Sequence, residues 1–341
     1  MTGYCVAPRP SSLRRTQGYA SLLGAGALCL RPFCEAFAPP ASCRALTGER
    51  MDLLLHLCVV IAIYSIFAMS LNLEVGYTGL FNFGHVAFLG IGAYASALLS
   101  LAGFPFFLCL AAGLAAAGLA GFLLSIPALR LQGDYFGIAT LGFGEILRLV
   151  FQNEVWLTKG PMGLPGIPKP EMLGVRFESL PEYLGLAVVA ALLTYLAMGL
   201  VTESPFGRAL RAVRDDETAA EILGKNAFAF KTRSFVIGSV FAGLAGVLWA
   251  HYTSFISPSD FTLNETIVVL LIVVLGGKGT RPGPVVGAIA LIFLQESLRF
   301  LRLPPEWTRY LGPMQQMVFG ALLVALMVFR PEGIMREKRR K

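Results

Sequence analysis

Residues 207–226 read GRALRAVRDDETAAEILGKN, a charged run inside a chain otherwise dominated by Leu, Ala, Gly, Val and Phe. Arg208, Arg211, Arg214, Asp215, Asp216, Glu217, Glu221 and Lys225 crowd into it. The stretch carries its own helix signals. Ser204-Pro205, just ahead of it, sets an N-capping hydroxyl before a proline at the first helical position. Arg208, Arg211 and Arg214 repeat every three residues and share a face, with Leu210 and Val213 beside them as an apolar strip. Asp215 or Asp216 can cap a second short helix, whose acidic first turn suits the helix dipole. Leu223-Gly224 marks its end, because glycine takes up the left-handed C-terminal conformation. Two short amphipathic helices in a loop over 202–233 are expected, and not a span.

The rest of the chain explains why such an island stands out. Its 341 residues are 55% hydrophobic and 14% charged, with a mean hydropathy of +0.67, whereas soluble domains carry about 25% charged residues. Apolar segments fall at 53–75, 83–102, 104–129, 135–152, 183–201, 234–256, 264–276, 284–300 and 314–329. Several approach the roughly 20 residues that cross a bilayer. The expected class is an all-α polytopic membrane protein with roughly 8–9 transmembrane or re-entrant helices. Small residues at four-residue spacing, Gly113/Ala117/Gly121 and Gly238/Ala242/Gly246, suit close helix packing in lipid.

The net charge of +7 gathers in loops and in the tail 336–341, as the positive-inside pattern requires next to anionic lipid. No basic surface interleaved with aromatics accompanies it, so nucleic acid is not an expected partner. The island and the tail both belong inside, with four segments between them. That arrangement also puts Lys278 and Arg281 inside and the Pro/Gly-rich loop 153–182 outside. Six cysteines form no CxxC pair and His56, His85 and His251 are scattered, so neither a metal site nor a disulfide framework is indicated. Residues 1–50 are rich in Arg and poor in acids. They are read as an extension ahead of a domain over 51–335, with translation expected to begin at Met51.

Three further motifs bear on function. VGYTGLFNFGH, 75–85, has too many glycines for an ordinary span. Gly76, Gly79 and Gly84 allow a broken or re-entrant path, and Tyr77, Asn82 and His85 bring polar groups to it. Glu145 stands in an apolar segment three residues before Arg148, either a functional intramembrane carboxylate or a local ion pair. GGKGT, 276–280, lacks the Walker pattern, because Gly279 follows Lys278 and Ile272 stands where the first glycine belongs. No nucleotide site and no chain of buried acids for proton coupling is evident. From the residues alone the island is open to three readings: a solvated topology loop, an interfacial helix, or a docking helix presenting Ala219 and Ala220 within a charged rim.

Glu217-Thr218-Ala219-Ala220-Glu221-Ile222-Leu223-Gly224 resembles the EAA loop of ABC importer permeases, and the flanking residues resemble the branched-chain amino-acid permease family. SLNLEVGYTGLFNFGHVAFLGIGAYASALL (70–99), GDYFGIATLGFGEILRLVF (133–151), TKGPMGLPGI (158–167) and LGGKGTRPGPVVGA (275–288) resemble its other blocks, in the family's order. Lys159 and Arg281-Pro282 depart from the usual residues, and residues 1–50 match nothing in the family. The resemblance implies an ABC importer permease fold, with 207–226 as the helix that docks on a cytoplasmic ATPase. Its expected coupling residues are Arg208, Arg211, Arg214, Asp215, Asp216, Glu217, Ala219, Ala220, Glu221 and Gly224. Asn72, Gly76, Tyr77, Gly79, Asn82, Gly84, His85, Phe143 and Glu145 are the expected path residues. Thr158, Gly160, Pro161 and Gly163 are the expected contacts of an extracytoplasmic solute-binding protein. The resemblance also implies a second, homologous permease subunit, two ATPase subunits that use ATP and Mg, a lipid-embedded site in a bacterial inner membrane, and no cofactor or catalytic residue in this chain. A stand-alone secondary transporter and a permease for urea or short amides are the competing functions. An embedded acyltransferase lacks a convergent His/Asp/Glu or Cys/His set.

Overall fold

A computed structural model describes residues 41–131, 133–172, 175–177 and 179–299, with isolated positions between 317 and 335. The expectations for residues 1–40, for most of 314–329 and for the tail 336–341 lie outside the described residues. The chain divides after Glu49, and the unit Arg50–Lys341 holds the membrane helices.

Helix α1 (Ala41–Asn72) is apolar through its membrane portion and loosens into a π-turn over Leu73–Thr78. It stops at Gly79, whose φ of 77° is open to glycine, and whose N–H donates to the Glu74 carbonyl. The chain then runs without helix to Gly84 and re-enters as α2 (His85–Leu101). The broken path expected at 75–85 is therefore a π-turn followed by a short irregular segment. Helix α3 (Phe106–Ala128) follows, then α4 (Asp134–Asn153) and the single turn α5 (Val155–Thr158). Short strands β1 (Leu164–Pro165), β2 (Glu171–Met172) and β3 (Val175–Arg176) lead to α6 (Leu180–Glu203). A capping box of Ser179 and Glu182, with proline in the first turn, starts α6.

The island forms α7 (Pro205–Asp215) and α8 (Glu217–Ile222), ahead of α9 (Ala227–Thr253). Strand β4 (Phe255–Ile256) pairs with β1, Leu164 opposite Ile256, and ties the Pro-rich loop to the far end of α9. Helices α10 (Leu263–Gly276) and α11 (Gly283–Arg299) follow.

Among the described residues five segments are long and apolar enough to cross a membrane: Met51–Thr78, Phe106–Ala128, Leu180–Glu203, Ala227–Thr253 and Pro258–Gly276. His85–Leu101 and Gly283–Glu296 are apolar but shorter. The expected segment 135–152 falls in neither group, because α4 is amphipathic and carries Asp134, Glu145 and Arg148.

Helices α2, α3 and α9 form the centre of the bundle. Their backbones meet through small residues, Gly121 and Gly246 among those expected to pack: Gly92 lies against Gly243, Gly121 against Ser239, and Gly246 against the Leu89 carbonyl. In lipid such contacts replace the hydrophobic drive that water would supply. Phe88 and Phe235 fill the adjoining space edge to face, their centroids 5.5 Å apart. Outward-facing Leu119, Leu123, Leu193 and Leu200 are exposed, as suits a lipid-facing wall.

Candidate functional site

The break after α1, the island and the Gly-rich turn at 277–280 meet at one end of the bundle. Buried backbone without helical partners is costly, and side chains from all three segments satisfy it here. Asn72 donates from Nδ2 to the Thr280 carbonyl, and its Oδ1 accepts from the Gly279 N–H, both at 2.9 Å. A methyl group on Gly76 would collide with Asn72 and with the Gly279 backbone, so the two loops touch main chain to main chain. Thr78 donates to the Leu73 carbonyl and shares a hydrogen bond with Ser234 of α9.

The island's arginines turn toward the membrane helices. Arg208 donates to the Glu203 carbonyl, and Arg211 donates to that of Thr202 at 2.9 Å. Both cap the carboxyl end of α6, where a cation suits the dipole. Arg211 also lies over the Tyr77 ring, 5.6 Å from its centroid. Arg214 donates from Nη1 to the Gly76 carbonyl at 2.5 Å, reaching into the π-turn itself, and pairs with Asp215. At the same end, Arg281 pairs with Glu203.

The two island helices form the way the local signals require. Ser204 accepts from the Gly207 N–H, and Asp216, rather than Asp215, accepts from the Ala219 N–H. Gly224 closes α8 with a φ of 78°. Leu210 is fully buried, and Val213, Ala220 and Ala227 make a small apolar contact joining α7, α8 and α9. Lys231 of α9 reaches Glu217 at 2.6 Å. Helix α8 is thus fastened to α9 on one side and, through α7, to the broken helix on the other.

Of the two alanines expected to face outward, Ala219 is exposed and Ala220 is buried, because neighbours on a helix point in different directions. The outward face is instead dominated by Ile222 and Leu223, 81% and 80% exposed, with Glu221 beside them. Sequence reasoning used Leu223 only to mark the helix end and gave neither apolar residue a docking role. Their signal was an Ile-Leu pair at the end of a charged helix, with only alanines as apolar partners at helical spacing.

Of the expected path residues, Asn72, Gly76, Tyr77, Asn82, Gly84 and His85 are buried at the break, and Gly79 is exposed. A cavity of about 10 Å³ lies beside Asn72 and Tyr77, space for about one water. Phe143 packs on Phe88, ring centroids 5.9 Å apart. Glu145 is not with them: it sits on an exposed part of α4, with its carboxylate on the Arg148 guanidinium. The local ion pair is the reading the structure supports there.

The buried carboxylate at the break is Glu74, fully enclosed and not singled out from the sequence. Asn82 donates to its Oε2 at 2.8 Å, and His85 Nδ1 lies 3.4 Å from its Oε1. The other nitrogen of His85 is hydrogen-bonded to Ser70 at 2.8 Å. Glu74 lies in the π-turn, Asn82 in the irregular segment and His85 at the start of α2, so this polar knot stitches the parts of the break together. The signal was available: an acid in an apolar run deserves the same attention wherever it occurs.

At the opposite end, Thr158 is buried and its hydroxyl donates to the Phe151 and Glu154 carbonyls. Gly160 and Gly163 are buried as well, while Pro161 is exposed beside Met162. Thr158 and the two glycines shape the loop, and the outward surface belongs to Pro161, Met162 and Trp156.

The family described as branched-chain amino acid transport system / permease component matches residues 53–327. The chain is 39% identical over 298 residues to the high-affinity branched-chain amino acid transport system permease protein LivM of Escherichia coli K12, covering 80% of this chain and 68% of that protein. It is 28% identical over 338 residues to the probable branched-chain amino acid transport permease protein LivM of Methanocaldococcus jannaschii, covering 84% and 94%. Against the permease protein LivH of the E. coli K12 high-affinity system it is 27% identical over 288 residues, covering 80% and 91%. No solved structure matches.

Proposed function

The chain belongs to the branched-chain amino acid permease family of ABC transporters, and from that premise we propose that it forms half of an ATP-driven import pore. The other half is a second permease subunit, a pairing that fits its likeness to both LivM and LivH. The pore lies in a bacterial inner membrane, with the island on the cytoplasmic side. Two ATPase subunits there use ATP and Mg, and an extracytoplasmic binding protein delivers a branched-chain amino acid to the opposite face. This chain binds no cofactor and performs no catalysis in that scheme.

The observation that carries the proposal is the route from α8 to the π-turn. An ATPase gripping Ile222 and Leu223 would pull on a helix locked to α7 by Val213 and Ala220. Arg214 and Arg211 would pass that displacement to Gly76 and Tyr77. A π-turn can rewind or loosen with few backbone changes, which suits a hinge. The polar knot of Glu74, Asn82 and His85 then keeps both sides of the break moving together.

The test is uptake of leucine into proteoliposomes. Complete transporter with ATP inside the ATPase compartment is expected to accumulate leucine, and permease subunits alone under a proton or sodium gradient are not. Gradient-driven uptake without ATPases would establish a secondary transporter. ATP-driven uptake of urea or acetamide in preference to leucine would establish the amide permease.

A further inference from the structure

The end of the bundle opposite the island holds a cavity that the coupling scheme does not use. Helix α9 starts beside the island and runs 27 residues, about 40 Å at 1.5 Å per residue. Beyond its end come the 3₁₀ turn Pro258–Asp260 and the first turn of α10. A cavity of about 170 Å³ opens there, lined by Ile63, Tyr64, Leu89, Trp249, Asp260 and Glu265 among others. One water needs only about 10–15 Å³ of such space, so the cavity has room for a small solute.

Its chemistry is asymmetric. Tyr64 donates to Glu265 Oε2 at 2.7 Å, and the Ser257 N–H donates to Asp260 Oδ2 at 2.8 Å. Each carboxylate therefore has one oxygen engaged by the scaffold and the other unassigned. Among the described residues no Lys, Arg or His forms a salt bridge with either acid. Two acids lining one partly buried space, with no cation paired to them among the described residues, are electrostatically poised for one from outside. The Tyr64 and Trp249 rings stand edge to face, 6.2 Å apart, and aromatic faces attract ammonium groups. Ile63 and Leu89 supply an apolar wall.

We infer that this cavity is a substrate subsite that receives the ammonium group of an aliphatic amino acid at Glu265 and Asp260, with its side chain against Ile63 and Leu89. The assignment rests on the import function proposed above and gives it a basis for selectivity. Urea and short amides carry no positive charge, and a deaminated carboxylate analogue would be repelled by the acid pair.

The test uses the whole transporter in proteoliposomes with leucine-loaded binding protein, measuring leucine moved per ATP hydrolysed. E265Q removes the charge and keeps an acceptor for Tyr64. It is expected to lower the ratio about tenfold, the scale of one charge-assisted hydrogen bond, with ATP hydrolysis retained. A ratio unchanged in E265Q would overturn the subsite and leave Glu265 as an anchor for Tyr64. If E265Q does not assemble, the decision falls to competition of wild-type uptake by isopentylamine and 4-methylpentanoate, added to transporter already loaded by the binding protein. Inhibition by the amine alone supports the subsite, and inhibition by the carboxylate alone overturns it. Wild-type transporter that moves no leucine with ATP refutes the import reading itself, a result distinct from either of these.

Discussion

Arg214 is the residue on which the coupling account turns, since its guanidinium is the direct bond from the charged island to the carbonyl of Gly76. Hydrogen bonds to charged groups contribute about 1.5–3 kcal/mol each. Replacing Arg214 with Met keeps the aliphatic stem and removes that bond. R214M is expected to insert and to support ATP hydrolysis while leucine transport per ATP drops about tenfold; an unchanged ratio would mean the contact transmits nothing. A second residue-scale expectation concerns close packing. A methyl at Gly246 meets the Leu89 carbonyl, whereas one at Gly142 meets nothing within 4 Å. G246A should lower thermal stability in detergent by about 1–3 kcal/mol, the usual cost of overpacking. G142A should be neutral or slightly stabilising, and equal effects would refute the packing argument. Single residues were unevenly legible from sequence. The glycines and Asn82 of the break stood out by type, but Glu74 did not, although it is the carboxylate that the fold buries. Glu145 drew notice because it sat in a shorter apolar run beside Arg148, and that neighbour is what lets it remain exposed.

Among the elements, α7 and α8 were the most legible, because caps are local chemistry. Ser204, Pro205, Asp216 and Gly224 set the helix ends without reference to the rest of the molecule. Removing the Asp216 cap with alanine should cost about 1 kcal/mol, seen as faster amide exchange in 217–222 while α9 is unchanged; protection equal to wild type would show that packing alone holds α8. The direction each helix faces was not legible, since it depends on what packs against it. The arginine face, expected to offer charge to a partner, is instead consumed by the carbonyls of Thr202, Glu203 and Gly76. Left outward, beside the exposed Ala219 and Glu221, are Ile222 and Leu223. Changing both to Ser should abolish co-purification of the ATPase subunits while the permease pair still inserts and associates. Retention of the ATPases would place docking elsewhere.

For the whole molecule, apolar run length identified the class and located the long spans well, since crossing lipid requires an uninterrupted helix. It located the short or amphipathic α2, α4 and α11 as well, each within about two residues, but run length does not say whether they cross, which depends on their neighbours. The convergence of the α1 break, the island and the Gly-rich turn was beyond reach from sequence. Asn72 and Gly279 lie far apart in the chain and meet only through packing. In the coupling proposed above, that convergence would act as a lever, with energy entering at α8 and leaving at the π-turn. The most direct measurement is photo-crosslinking in the intact transporter, with a photoreactive amino acid in place of Leu223 and a control in place of the outward-facing Leu200. Position 223 is expected to capture an ATPase subunit, and the captured complex to lose ATP-driven leucine uptake, while position 200 captures none. A transporter that imports leucine with ATP yet yields no ATPase adduct at position 223 would contradict the account.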